Sequence, residues 1–225
     1  VFSNCTSVTK IVLPSTLRNY GKYAFQGTSG DLEINSDIVA TDNSYGAFER
    51  WTGHNAKLSD NVSIIGLNAF ANSSLTNITW GKGLKTIGDN AFLFSKLTEI
   101  EIPNGVERIE DEVFRGSAQL TKISIPNSVT WIGRHCFHNC TSLTDIELPT
   151  NDEFTWIQRG LFYGCSALKT IIIPNNVNSI GWDKPSYGSY YGNAGLFEGC
   201  TSLESITLSE NITSLPKYTF AECTS

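Results

Sequence analysis

Phe114 to Phe137 reads FRGSAQLTKISIPNSVTWIGRHCF, and the spacing inside it decides the fold. Phe114, Ser117, Leu120, Ile123, Ile125, Pro126, Val129, Ile132, Gly133 and Cys136 define a template that Phe137 opens again. Laid along the chain, the template places its first aromatic at Phe2, Phe25, Phe48, Phe70, Phe92, Phe114, Phe137, Phe162, Phe197 and Phe220, with steps of 23, 23, 22, 22, 22, 23, 25, 35 and 23 residues. A fixed period with apolar residues returning to the same columns belongs to a solenoid, whose units are too small to bury an apolar face alone and must stack on neighbours. Function is therefore expected on the surfaces of an array and not in one enclosed pocket.

Each copy carries two short apolar stretches, L-x-x-I-x-I and V-x-x-I-G, joined through Pro-Asn-Ser or Pro-Asn-Gly turn chemistry. Ile11, Val12 and Leu13 alternate with period two and end on Pro14, which suits a short strand whose last residue leaves the ladder. Stacked copies predict a parallel sheet along one face, a second short strand or extended turn on the other, and a helical turn returning to the start. The fold class is an α/β or mainly β repeat solenoid. It forms a single domain over residues 1–225, with about nine repeats of 22–25 residues. Register is weakest from Thr28 to Val62, where Leu32 and Ile34 sit two residues early and Trp51 to Asn55 replace the usual segment, so irregular structure is expected there. Copy seven holds two extra residues around Asn151 to Phe154, and copy eight an insert over 182–193. Since the array resumes its register afterwards, the insert is expected to be a surface loop.

Composition removes several function classes. A net charge of -6 with no run of lysine or arginine argues against nucleic acid as a partner. No apolar stretch reaches the roughly 18 residues of a membrane helix. Three histidines, His54, His135 and His138, stand without G-x-S-x-G, H-E-x-x-H or a phosphate-binding glycine loop, so no catalytic residue and no cofactor is expected. Cys5, Cys140, Cys165, Cys200 and Cys223 share the column that is Thr28, Trp51, Ser73, Ser95 and Ser117 elsewhere, and Cys136 takes an alanine column. Such interchange predicts a row of small, reduced, packed thiols rather than disulfides. Cys136 and Cys140 with His135 and His138 approach zinc-ligand spacing, yet one short segment does not aim four ligands inward, and no metal is expected. The sequons at Asn4, Asn61, Asn72, Asn77, Asn139 and Asn211 partly belong to the repeat itself and carry little information. With no methionine and no atypical end repeat, the chain is expected to be a piece of a longer one.

The motif L-x-x-I-x-[IL]-P-x-x-V-x-x-I-G-x-x-[AC]-F-x-x-C, seen from Leu120 to Cys140 and again from Leu143 to Cys165, resembles the BspA-type leucine-rich repeat. The resemblance covers essentially the whole chain. It implies a right-handed leucine-rich-repeat solenoid, a secreted or cell-surface location in host-associated microbes, and in some members adhesion to host proteins. It supplies no catalytic residues, and the insert departs from the family unit.

Two surfaces are candidates for a partner, which by this reading is a protein, with host extracellular and surface proteins among the options. On the predicted strands the outward residues include Lys10 and Val12, Asn77 and Thr79, Glu99 and Glu101, Lys122 and Ser124, Asp145 and Glu147, Thr170 and Ile172, and Ser205 and Thr207. Glu99, Glu101, Asp145 and Glu147 form an acidic patch that steers a basic partner, holds calcium or simply keeps the face solvated. In the insert, Trp182, Tyr187, Tyr190 and Tyr191 among serines and glycines have the composition of a binding loop. The same loop is equally suited to covering an apolar seam. Trp51 and His54 are lesser candidates of the same kind. Two functions stay open at this point: a recognition module, or a spacer that presents another domain.

Overall fold

The computed structural model describes residues 2–39, 45–181 and 194–225. Its strands fall into two series along the chain. The first holds β1 (Lys10–Leu13), β2 (Asp31–Ile34), β3 (Asn55–Leu58), β5 (Asn77–Thr79), β7 (Glu99–Glu101), β9 (Lys122–Ser124), β11 (Asp145–Glu147), β13 (Thr170–Ile172) and β15 (Ser205–Thr207). The second holds β4 (Ile64–Ile65), β6 (Thr86–Ile87), β8 (Arg108–Ile109), β10 (Trp131–Ile132), β12 (Trp156–Ile157) and β14 (Ser179–Ile180). All pairing is parallel and in register from coil to coil, for example Glu99 with Lys122 and Lys122 with Asp145. The molecule is a mainly β repeat solenoid.

Among the described residues there is no helix. The expected helical turn is instead a tight hydrogen-bonded turn around each repeat phenylalanine, because the backbone there bonds to the next coil. Phe70 N donates to Ala91 O at 2.8 Å, Phe92 N to Val113 O at 3.0 Å and Phe114 N to Cys136 O at 2.9 Å. Donors spent between coils are not free for the i to i−4 bonds of a helix. The same bond joins Phe162 N to Leu196 O at 3.1 Å, so the coil register is the same on both sides of residues 182–193.

The interior is a file of rings. From Phe2 through Phe220 each repeat phenylalanine stacks on the next, with centroids 5.0 to 5.9 Å apart. Phe48 to Phe197 are fully buried, while Phe2 is half-exposed. Beside this file runs a second one. Cys140 Sγ donates to Phe114 O at 3.1 Å, Cys165 Sγ to Phe137 O at 3.1 Å, Cys200 Sγ to Phe162 O at 3.2 Å and Cys223 Sγ to Phe197 O at 3.2 Å, and Ser117 Oγ does the same to Phe92 O at 3.2 Å. In these copies the column holds a small side chain with one hydrogen to give, a role open to serine, threonine and cysteine alike, while Trp51 fills the same column in the third copy. All six cysteines are free thiols. Burial pushes the thiols of Cys136, Cys140 and Cys165 upward and that of Cys200 to about 12. Since the thiolate is the reactive form, a disulfide-exchange reagent at pH 8 is expected to label only the half-buried Cys5 and Cys223 in the native protein, and all six in guanidinium. Prompt labelling of Cys140 or Cys165 without denaturant would contradict the packing.

The segment expected to be irregular carries two regular strands of the first series, β2 and β3. β1, β2, β3 and β5 form the longest unbroken sheet of the first series, with Ile11 opposite Leu32 and Leu13 opposite Ile34. The missing residues are taken out of the preceding turn at Gly30, whose φ is +97°, a left-handed value open to glycine at no steric cost. Instead, the ladder breaks between β5 and β7, where the repeats keep a strict 22-residue step, and between β11 and β13, across the copy with two extra residues. At the first break Trp80 fills a column that is isoleucine in Ile102 and Ile125, and its indole stands edge-on to Phe92 at 6.0 Å. At the second, the two extra residues of copy seven bring the buried Phe154 into the wall of the coil.

Candidate functional site

The parallel strands place the acidic candidates. In β7, β9 and β11 the central isoleucines Ile100, Ile123 and Ile146 point to the core, which turns the residues on either side outward. Every outward residue named from the sequence on this face, from Lys10 to Thr207, is exposed. Register aligns them in two rows. Glu99, Lys122 and Asp145 stand opposite one another in the first, Glu101, Ser124 and Glu147 in the second. Lys122 Nζ pairs with Asp145 at 3.0 Å, and this contact, with Glu99 and Glu147 nearby, raises the lysine's pKa. Among the described residues Glu99, Glu101 and Glu147 have no hydrogen-bond or ion-pair partner for their carboxylates.

Both breaks in the ladder open as clefts in this same face. The one between β11 and β13 has a volume of about 740 Å3, with Asp145, Glu147 and Asp152 at its edges and Ile146, Leu148 and Ile171 among its apolar walls. The one between β5 and β7 has about 390 Å3, with Glu99 and Glu101 against Ile78, Trp80 and Ile100. The four acidic residues picked out from the sequence therefore line the two clefts in pairs. Ile172, two-thirds exposed, adds an apolar contact at the larger one.

The other candidates differ in what the structure says of them. Trp182, Tyr187, Tyr190 and Tyr191 lie outside the described residues. The chain enters the insert directly after β14, in the second series of strands. Trp51 is fully buried, edge-on to Phe70 at 6.4 Å, so it is a core residue and not a surface contact. His54 stays exposed, with its Nδ1 3.0 Å from Ser74 O. Sequence reasoning passed over Trp131 and Trp156, which are half-buried on the second series, perpendicular at 6.2 Å, with the Arg108 guanidinium 5.1 Å from Trp131. The signal for them is a tryptophan placed directly before the I of two successive I-G or I-Q steps.

No three His, Cys, Asp or Glu side chains among the described residues are placed to share a metal ion. His135 and His138 face each other, Nδ1 to Nδ1 at 3.3 Å, and His138 packs on Tyr163 with ring centroids 4.5 Å apart. Cys140 meanwhile donates into the core, so the histidines and the thiol do not converge. No helix among the described residues is long and apolar enough to cross a membrane.

The model of the BspA type leucine rich repeat region matches residues 1–96, 85–184 and 190–225, in six copies. The chain belongs to the BspA-type leucine-rich repeat family. Three solved bacterial proteins share the architecture. A leucine-rich cell surface protein of Faecalibacterium prausnitzii A2-165 is 25% identical, covering 99% of this chain and 73% of its own, with a TM-score of 0.53. A leucine-rich repeat protein of Bacteroides ovatus is 24% identical over 99% of this chain and 66% of its own, with a TM-score of 0.61. The pneumococcal vaccine antigen PcpA is 20% identical over 93% of this chain and 64% of its own, at 0.52. The BspA-type chain thus spans about two thirds to three quarters of the length of these relatives. None of the curated proteins matches it.

Proposed function

We propose that residues 1–225 form one array of about nine repeats, coiled in the right-handed sense in which parallel crossovers pack, and that the array acts at the cell surface as a non-enzymatic module recognising protein partners. The observation that carries this reading is the first-series strand face, where side chains stand exposed in aligned rows and the ladder opens into two lined clefts. A solenoid presents a continuous surface that suits an extended macromolecular partner more than a small substrate. The relatives described as a cell surface protein and a vaccine antigen support the location.

A second contact would come from the insert, where Trp182, Tyr187, Tyr190 and Tyr191 supply aromatic area at low entropic cost. The test is quantitative binding of immobilised host extracellular-matrix proteins by the intact chain and by a variant with Tyr187, Tyr190 and Tyr191 changed to serine. Saturable binding that the triple change weakens at least tenfold is expected. Binding untouched by that change assigns recognition to the strand face alone. A chain that captures nothing is a spacer, and the recognition reading falls.

A further inference from the structure

The two clefts are spaced to a pattern, and the pattern specifies a ligand. Resting on the reading of the strand face as a recognition surface, we propose that it binds an extended peptide carrying basic residues at positions i and i+4 with an acidic or small residue at i+2.

The geometry follows from the ladder. One cleft lies between β5 and β7, the other between β11 and β13, and the in-register strands β7, β9 and β11 separate them. From β7 to β11 there are two paired strand spacings, about 10 Å at about 4.8 Å each, and half of each opened gap adds to this, so the cleft centres stand about 14 Å apart or slightly more. A peptide crossing the strands in extended form rises about 3.4 Å per residue and turns alternate side chains to one side. Residues i and i+4 then point at the face about 14 Å apart, and i+2 points at it midway.

Each cleft suits a long cationic side chain. The carboxylates of Glu99 and Glu101 stand at one and those of Asp145 and Glu147 at the other, while Ile78, Trp80 and Ile100, or Ile146, Leu148 and Ile171, offer apolar wall to the aliphatic stem. Three of those four carboxylates have no hydrogen-bond or ion-pair partner among the described residues, so a guanidinium breaks no salt bridge at Glu99, Glu101 or Glu147. Midway, over β9, the side chain at i+2 meets Lys122 and Ser124. Lys122 repels a third basic residue and attracts a carboxylate, and this is the element that rejects a merely polybasic chain. Strand spacing thus converts a mixed-charge face into a rule about sequence.

The probe is a labelled peptide, Gly-Arg-Ser-Glu-Ser-Arg-Gly, compared by fluorescence anisotropy in low salt with the isomer Gly-Arg-Ser-Arg-Ser-Glu-Gly, which has the same composition and charge. The first is expected to bind the intact chain at least tenfold more tightly, and Glu101→Gln with Glu147→Gln to remove most of that preference. Lys122→Glu is expected to invert the choice at i+2, so that Gly-Arg-Ser-Lys-Ser-Arg-Gly becomes the better ligand. All three substitutions lie on exposed positions, and an unchanged melting curve checks that the fold persists. Equal binding of the two isomers, a preference that survives the double change, or no binding of either overturns the proposal. Matrix capture is a separate readout: capture with equal isomer binding defeats the spacing rule alone, whereas isomer discrimination without capture defeats the matrix partner alone.

Discussion

Phe114→Ala is expected to destabilise the protein by about 3–5 kcal/mol, the range for deleting a fully buried aromatic from a core. The ring sits between Phe92 at 5.5 Å and Phe137 at 5.9 Å, nearly parallel to both. Its loss leaves a gap in the file and removes two stacking contacts at once. In a solenoid each repeat is held by its own stability and by its two neighbours, so a cut at the centre also uncouples the flanking coils. Guanidinium unfolding followed by tryptophan fluorescence should broaden or split, since Trp51 and Trp80 report on one side and Trp131 and Trp156 on the other. Phe2→Ala, at a half-exposed position with a single ring neighbour, should cost far less. Equal losses from the two substitutions would mean that the file is not what couples the repeats.

Stability should also fall as the solution is acidified from about pH 6.5 to pH 4. His135 and His138 are buried, and desolvation first, with Arg115 near both and Arg159 near His135, lowers each imidazole's pKa to about 4 from its ordinary 6.5. The unfolded chain then binds more protons than the folded one across this interval, so the stability contributed by the neutral pair is complete above pH 6.5, declines as pH falls, and levels off below 4. One histidine shifted this far is worth about 3 kcal/mol. Burial also leaves the second ring nitrogen of the pair facing a cation once either protonates, at a separation of 3.3 Å. Chemical denaturation at fixed pH steps would show the slope, and His138→Phe, which retains a ring against Tyr163, should flatten it. A stability profile with no dependence between pH 6.5 and 4 would rule the pair out as the acid-sensitive element.

The aromatic file, the strand face and the thiol column were all legible because each repeats a side chain in a fixed place. Alternation alone put Glu99, Glu101, Asp145 and Glu147 outward. The turn conformation was not legible. Two residues before and two after the repeat phenylalanine the backbone takes positive φ in many copies, at Asn90 and Phe94, at Glu112 and Gly116, and at His135 and Asn139. Asparagine and glycine fit such positions, but phenylalanine, glutamate and histidine do not announce them. The bonds between coils impose the conformation, and residues of several types bear it. Gly116 shows the consequence, because a Cβ there would lie 2.3 Å from the Phe94 ring of the coil before it. Phe94 can occupy its position only where the next coil offers no side chain.

The breaks in the ladder were invisible for a related reason. Trp80 and the residues 151–154 each look like a tolerable variation within one copy, and their effect exists only between copies. What the amino-acid order determined unaided is the unit, its period and the outward side chains of the regular first-series strands, since these depend on contacts within about twenty residues and on the two-residue alternation of extended chain. What only the stacked coils decided is where the parallel ladder parts, which carboxylates flank the openings, and which histidines lose their water, because each of these depends on how tightly one coil lies on the next.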